Sequence, residues 1–246
     1  MARYDFTAQR LYVEADLVEG AAVACSAEQA NYLRRVLRLK GGDSVLVFNG
    51  RDGEWRAQLI EKAKRGAALG LQAQVRPQEG GPDIDYLFAP LKRARLDYMV
   101  QKATEMGVAR LRPVVTRRTI SERINLERMR ANAIEAAEQC GILRIPEVHA
   151  PQKLESAIAG WDAGRPLVFC DEGSELSDPL AALAGLKPGP VALLIGPEGG
   201  FEEAERARLV ALPFVTRLSL GPRILRADTA AVAALAIVNA ALGDWR

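Results

Sequence analysis

Residues 191–201 read Val191-Ala-Leu-Leu-Ile-Gly-Pro-Glu-Gly-Gly-Phe201. Five apolar residues followed by three glycines and a proline are typical of a buried parallel strand that ends in a tight turn. A helical pattern follows over Glu202 to Leu212. In open α/β sheets ligands bind beyond the carboxyl ends of such strands, and glycine lets a backbone approach a ligand closely. An ordinary strand-to-helix turn is the alternative interpretation.

The same alternation of strand and helix extends on both sides of this segment. It predicts an α/β domain with a mainly parallel sheet. The predicted strands are Ile84 to Pro90, Arg112 to Thr116, Leu167 to Cys170, Val191 to Ile195 and Val215 to Leu220. The other predicted helices are Leu96 to Met106, Asn125 to Cys140 and Thr229 to Leu242.

The N-terminal residues follow a different pattern. Ser26-Ala-Glu-Gln29 fits a capping box that starts a helix, and Gly41-Gly42 is expected to end it. Short alternating segments on both sides of Asn49-Gly50 predict a β-hairpin. We therefore expect a small β-barrel module over residues 1–76, a Pro- and Gly-rich linker over 77–83 and the α/β domain over 84–246.

Composition excludes several classes of protein. The 246 residues are 49% apolar and 26% charged, so the chain is not disordered. Three cysteines without C-x-x-C spacing and a single histidine, His149, predict no metal site. Met1 to Arg10 lacks the apolar segment of a signal peptide, and no run of about 20 apolar residues predicts a membrane span. We expect a cytoplasmic protein with reduced thiols.

A second loop, Leu218-Ser-Leu-Gly-Pro-Arg-Ile-Leu-Arg-Ala-Asp-Thr-Ala230, also joins a strand to a helix. Arg223 and Arg226 flank its turn at a spacing of three residues. They are candidates for ligand contacts, although such pairs often lie on a solvated face. Asp228 is expected to cap the closing helix.

The charge near the first loop limits its ligand. Residues 171–205 hold eight carboxylates and one lysine, and the Gly-Lys-Ser/Thr of a phosphate loop is absent. Negative charge repels a polyphosphate and suits a neutral or cationic ligand. S-adenosylmethionine (SAM), which has a sulfonium cation and no phosphate, is such a ligand.

Basic residues gather elsewhere in the chain. The stretch 92–130 holds eleven Lys/Arg and four Asp/Glu, and Arg34, Arg35, Arg38 and Lys40 form a smaller group. Such stripes are typical of proteins that bind a phosphate backbone, and a solvated helix face is the alternative.

The closing helix is apolar on all sides. Between Ala230 and Leu242 its one polar side chain is that of Asn239. One face can pack on the sheet, and the other needs either more of this chain or a second copy. We expect a homodimer.

Six segments, in order, resemble the uracil-N3 methyltransferase family of small-subunit ribosomal RNA, which belongs to the SPOUT class of knotted methyltransferases. They are Arg35-Val-Leu-Arg-Leu39, Val47-Phe-Asn-Gly50, Gln101-Lys-Ala-Thr-Glu-Met-Gly-Val108, Glu135-Ala-Ala-Glu-Gln-Cys-Gly141 with Arg144, Pro146 and Glu147, Ile195-Gly-Pro-Glu-Gly-Gly-Phe201, and Leu220-Gly-Pro-Arg-Ile-Leu-Arg226 with Thr229-Ala230. The chain departs from the family pattern in two places: Ile142 replaces a usual arginine, and Ala227-Asp228 replaces Thr-Glu.

The resemblance implies a PUA-type RNA-binding barrel and an α/β domain with a deep trefoil knot, a rare exception among folds. It also implies a SAM pocket in the knot loops near a homodimer interface, with 16S ribosomal RNA or the small ribosomal subunit as partner. The cofactor contacts expected are Leu194, Ile195, Gly196, Pro197, Gly199, Gly200, Leu220, Gly221, Ile224 and Leu225. The RNA contacts expected are Arg10, Arg34, Arg35, Lys92, Arg95 and Arg118.

The implied reaction is an in-line transfer of the sulfonium methyl to N3 of a uridine. Arg226 is the candidate for stabilising negative charge on the uracil. Asp228 or Glu198 is expected to act as base or to orient the substrate, with a helix cap as the alternative role of Asp228.

Other functions stay open on the sequence. A different SPOUT methyltransferase would modify another base or a ribose hydroxyl. A non-catalytic RNA-binding or ribosome-assembly protein would keep the fold without the reaction. A nucleotide-binding α/β enzyme is disfavoured by the acidic surroundings of the first loop.

Overall fold

The computed structural model describes residues 7–61, 66–120, 123–175 and 178–245. The chain divides into two compact units, residues 1–80 with 137–144, and residues 81–136 with 145–246. Most of the segment Met1 to Arg10, on which the signal-peptide prediction rests, lies outside the described residues.

The first unit contains a five-stranded sheet in the order β1-β3-β4-β5-β2. Its strands are β1 (Arg10–Tyr12), β2 (Ala22–Ala24), β3 (Ser44–Phe48), β4 (Glu54–Glu61) and β5 (Ala67–Arg76). The antiparallel pairing of β3 with β4 confirms the predicted hairpin, and Gly50 in its loop has a φ of 85°, where glycine is unstrained.

One helix accompanies this sheet, and it is shorter than predicted. Helix α1 (Ala27–Asn31) starts at the predicted capping box of Ser26 and Gln29 and continues as a π turn over Tyr32–Val36. The helix does not reach Gly41-Gly42, because Arg38 adopts a φ of 58° in the left-handed region and breaks the helical path.

The second unit contains a sheet in the order β12-β10-β11-β6-β7-β8, with β9 paired to β7. Its strands are β6 (Ile84–Phe88), β7 (Arg110–Val115), β8 (Glu147–Val148), β9 (Gln152–Lys153), β10 (Leu167–Cys170), β11 (Val191–Ile195) and β12 (Val215–Leu218). Every pairing is parallel, which confirms the α/β prediction. All carboxyl ends therefore meet at one edge.

Helices cover both faces of this sheet. They are α2 (Arg93–Glu105), α3 (Leu126–Cys140), α4 (Leu154–Ala159), α5 (Pro179–Leu183), α6 (Glu203–Val210) and α7 (Ala227–Ala241). Leu193 and Ile195 of β11 face a core built with α2 and α7, whereas Leu194 faces a core built with α4 and α6. The sequence did not predict α4, α5, β8 or β9, because elements of two to six residues show no periodicity. The trefoil knot stays a prediction.

Beyond its first turn, helix α7 carries one strongly polar side chain, and that side chain is buried. Asn239 is fully buried, and its Nδ2 donates to the Met106 carbonyl oxygen at 2.8 Å. The opposite face keeps the half-buried Val232, Ala236 and Ile237. Asn239 thus stabilises the core rather than an outer surface, and the homodimer stays a prediction.

Asn239→Ala is expected to lower the free energy of unfolding by about 1 kcal/mol, because the carbonyl of the half-buried Met106 loses its donor. Urea denaturation at pH 7 measures this. A loss below about 0.5 kcal/mol, the range of neutral surface changes, would contradict it.

Candidate functional site

A cavity of about 720 Å³ lies at the carboxyl ends of β10, β11 and β12. Three segments line it, residues 170–175, 195–200 and 218–225, together with Ala227 and Ala230. The structure thus brings the two loops singled out in the sequence into one site. The third wall, residues 170–175, was not predicted, although Asp171-Glu172 directly follow a buried strand and carry the same signal.

Most of the residues expected to bind a cofactor lie on this cavity wall. They are Ile195, Gly196, Pro197, Gly199, Gly200, Leu220, Gly221, Ile224 and Leu225. Leu194 is not on the wall, since its side chain is fully buried on the other face of β11. Their cofactor contacts stay a prediction.

Two glycines of the first loop leave no room for a side chain. A Cβ at Gly196 would lie 2.4 Å from Cε2 of Phe201, whose ring packs edge-on against Phe169. At Gly200, φ is 68° and a Cβ would lie 2.4 Å from Oε1 of Glu172. The Gly200 N–H donates to the Pro197 carbonyl at 2.9 Å and closes the turn. The Phe201 ring therefore packs closely against the loop at Gly196, whereas at Gly200 the positive φ is what favours glycine.

Asp171 fixes the third wall. Its carboxylate, 2% exposed, accepts from Arg206 Nε at 2.9 Å, from Arg217 Nε at 2.7 Å and from the Gly173 N–H at 3.1 Å. Both arginines also donate to the Gly173 carbonyl. Burial by itself raises the pKa of Asp171, but the hydrogen bonds from Arg206 and Arg217 outweigh it and hold the pKa below the usual 3.8.

Asp171→Asn is expected to lower the free energy of unfolding at pH 7 by about 2 kcal/mol, because two arginines lose a charged acceptor. The folded pKa is depressed, so this stabilisation is full above the unfolded value near 3.8 and is lost as pH falls through the folded pKa. The difference between wild type and variant in urea denaturation should shrink from pH 7 towards pH 3. A difference independent of pH would contradict it, and Asp244→Asn, at an exposed site, is the control.

Two of the candidate catalytic side chains, Glu198 and Asp228, lie close to Arg95, and the third, Arg226, lies close to Asp228. Arg95 Nη1 donates to Glu198 Oε1 at 2.8 Å, and its Nε lies 3.9 Å from Asp228 Oδ2. Arg226 Nε lies 3.8 Å from Asp228 Oδ1. Arg226, whose side chain is 62% exposed, stands between the wall residues Leu225 and Ala227. The charged groups therefore form one network at the edge of the cavity.

The expectation that Asp228 caps the closing helix is wrong. Helix α7 starts at Ala227, so Arg226 is the N-cap residue and Asp228 lies inside the first turn. There its carboxylate accepts from the Thr229 N–H at 3.0 Å and interacts favourably with the helix dipole.

The expected RNA contacts differ in exposure. Lys92 and Arg118 are exposed near the carboxyl ends of β6 and β7, and Arg118 Nη1 donates to the Gly199 carbonyl at 2.8 Å. In the first unit Arg35 is exposed, and the half-buried Arg34 donates to the Gly66 carbonyl at 2.6 Å.

Arg10 does not fit an RNA contact. Its side chain is 2% exposed and lies 2.8 Å from the equally buried carboxylate of Glu54. A buried arginine needs such a partner, and the pair is inaccessible to a phosphate.

Cys170, on the cavity wall, is not suited to act as a thiolate nucleophile. Desolvation raises the pKa of the half-buried Cys170 thiol to about 12, so it stays protonated at neutral pH.

Within the described ranges, no three His, Cys, Asp or Glu side chains are grouped to hold a metal ion. No helix in that part of the chain is both long and apolar enough to cross a membrane.

Two family models match the sequence. An RNA methyltransferase domain matches residues 79–239, and an RNA methyltransferase PUA domain matches residues 26–71. These matches confirm both the predicted family and the PUA assignment of the first unit.

Named relatives agree with the models. "Ribosomal RNA small subunit methyltransferase E" of Synechocystis sp. is 34% identical over 240 residues, covering 96% of this chain and 78% of the relative. The protein of the same name from Rickettsia conorii is 29% identical over 236 residues, covering 94% of each chain.

Solved structures share the fold. A Legionella pneumophila protein in complex with bound SAM has 30% identity and a TM-score of 0.84, over 96% of this chain and 99% of that one. Ribosomal RNA small subunit methyltransferase E from Neisseria gonorrhoeae has 24% identity and a TM-score of 0.85, over 97% and 100%. Since one family model spans more than half of the sequence and the Synechocystis relative matches almost all of it, the chain belongs to the ribosomal RNA small subunit methyltransferase E family.

Proposed function

We propose that this protein uses SAM to methylate N3 of a uridine in 16S ribosomal RNA, in the cytoplasm and as a homodimer. The observation that carries the proposal is that the two glycine-proline loops, 25 positions apart at Gly196 and Gly221, form walls of one cavity. Membership of a ribosomal RNA methyltransferase family supports methyl transfer to ribosomal RNA as the reaction. The resemblance of the six segments supports N3 of uracil as the atom that receives the methyl group.

The residues present fit SAM. Gly196, Gly199 and Gly200 line the cavity without side chains, so a ligand can approach the backbone closely at this wall. Four acidic side chains, Asp171, Glu172, Glu175 and Glu198, and the basic Arg223 line the cavity among the described residues. Arginines pair with Asp171 and Glu198, so the acidic charge at the cavity comes from Glu172 and Glu175, and it favours a cation over a polyphosphate. The Legionella pneumophila relative, which binds SAM in its crystal structure, supports the same ligand here.

Bound SAM would supply an electrophilic methyl group on its sulfonium. The protein's part is to hold that methyl and the uracil N3 in line, which accounts for much of the rate in such a transfer. Arg226 is placed to stabilise the negative charge that the uracil carbonyls gain as N3 loses its proton. The high thiol pKa of Cys170 fits a direct transfer without a covalent enzyme intermediate.

Basic residues at the same sheet edge suit an RNA strand. Lys92, Arg93, Arg117 and Arg118 are exposed in the segments that follow β6 and β7. Since sequence-specific proteins usually read splayed single-stranded bases, we propose that the target uridine enters the cavity while these residues hold flanking phosphates.

Mass-spectrometric mapping of methylated uridine tests the proposal. Ribosomal RNA from cells without the protein is incubated with purified protein and SAM. One new N3-methyluridine in 16S ribosomal RNA is the expected result. Methyl transfer to another base or to a ribose would support a different SPOUT activity, and no transfer together with RNA binding would support an assembly protein.

Calorimetry tests the cofactor separately. We expect SAM to bind and ATP to give no heat. ATP binding in the cavity, competing with SAM, would contradict the assignment of the glycine-rich wall.

A further inference from the structure

Arg95 connects three elements of the second unit. It is the third residue of α2, Glu198 lies in the loop after β11, and Asp228 is the second residue of α7. One guanidinium group therefore faces a carboxylate on each of two segments that line or flank the cavity, at 2.8 Å and 3.9 Å.

The charge balance separates Arg95 from its basic neighbours. Glu198 and Asp228 both face the Arg95 guanidinium, so its positive charge is already balanced and attracts a phosphate less than that of an arginine without a carboxylate beside it. Arg118 instead donates to a carbonyl oxygen and has no carboxylate partner among the residues described. Arg118 is thus suited to bind phosphate, whereas Arg95 is already engaged.

The group is also partly shielded from solvent. The side chains of Arg95, Glu198 and Asp228 are 34%, 38% and 14% exposed. Pairs this exposed make a small but measurable contribution to stability, and they also fix the geometry of the elements that they join. The planar fork of arginine can meet two carboxylates at fixed angles, which the single ammonium of lysine cannot do.

We propose that Arg95 is a positioning residue, one that ties the glycine-rich loop to the start of α7 through Glu198 and Asp228. This connection holds Arg226, the residue directly before α7, in position. The inference rests on the proposed function, because it assigns Arg95 to the transfer step instead of RNA binding.

The test compares Arg95→Ala and Arg95→Lys with Arg118→Ala. SAM affinity is measured by calorimetry, and kcat and the KM for ribosomal RNA are measured at several salt concentrations. For Arg95→Ala we expect kcat to fall roughly 10- to 100-fold, the cost of a misplaced reacting group, with SAM affinity within about threefold of wild type. Arg95→Lys should recover only part of kcat.

The RNA readout separates positioning from phosphate binding. Arg118→Ala should raise KM and reduce the slope of log KM against log salt by about 0.7, the value for one single-strand phosphate. Arg95→Ala should keep the wild-type slope. Arg208→Ala, an exposed arginine on α6, controls for loss of one positive charge. A reduced slope with unchanged kcat in Arg95→Ala would overturn the proposal.

A double-mutant cycle tests the connection itself. Glu198→Ala combined with Arg95→Ala should reduce kcat no further than about threefold beyond Arg95→Ala alone, because both remove the same contact. If the kcat losses of the two single variants multiplied in full in the double variant, the proposed connection would be overturned.

The same cycle is read in thermal unfolding midpoints, which need no methyl transfer. If the midpoint shifts of the two single variants were additive in the double variant, the connection would be overturned, whatever activity is measured. A wild-type protein inactive on all ribosomal RNA would overturn the proposed function, and non-additive midpoints would show that the Arg95 connection nevertheless exists.

Discussion

Gly196→Ala is expected to reduce SAM affinity by about 10- to 100-fold. The added methyl would lie 2.4 Å from Cε2 of Phe201, a ring that is 9% exposed and packs on Phe169 at 5.0 Å. Because this packed ring cannot simply move away, the loop must shift, and overpacking of this kind costs about 1–3 kcal/mol. A cavity wall displaced by that shift no longer matches the ligand.

Calorimetric titration with SAM measures the effect. Gly185→Ala is the matched control, because a Cβ there meets nothing within 4 Å, and it should bind SAM as wild type does. If Gly196→Ala bound SAM normally while remaining folded by circular dichroism, the loop around residue 196 would not be part of the SAM site.

Arg226→Ala is expected to lower kcat by about 100- to 1,000-fold, the usual cost of removing a donor that stabilises developing charge. SAM affinity should change much less. The side chain of Arg226 is 62% exposed and is not part of the cavity wall, although it stands between two residues that are.

Single-turnover methylation of ribosomal RNA and SAM calorimetry, performed on the same preparation, separate the two effects. Equal losses in turnover and in SAM affinity would reject the catalytic role of Arg226. Arg208→Ala again shows what the loss of one surface charge does by itself.

Much of the second unit follows from its sequence. The runs Leu167–Cys170 and Val191–Ile195 are strands with the predicted bounds, because continuous apolar residues between turn signals suit a strand buried on both faces. Helix boundaries were less accurate: α7 starts at Ala227, two residues before the predicted start. That difference of two residues moved Asp228 from the cap into the first turn.

The sequence predicted two of the three walls of the site. Glycine and proline at the ends of two strands marked two cavity walls. The wall over residues 170–175 was missed, although it depends on an equally visible pattern, Asp171-Glu172 after an apolar run. The partners that fix it, Arg206 and Arg217, are 35 and 46 residues away in sequence.

The sequence by itself determined the α/β alternation, the two turns that approach a ligand, and the family, since these depend on residue type and short-range order. Only the tertiary structure decided which charged side chains are available to a ligand. It buried Arg10 against Glu54, and it placed Arg95 against Glu198 across 103 residues of chain. The energy of a charge depends on the partners and solvent around it, and only the folded chain brings those together.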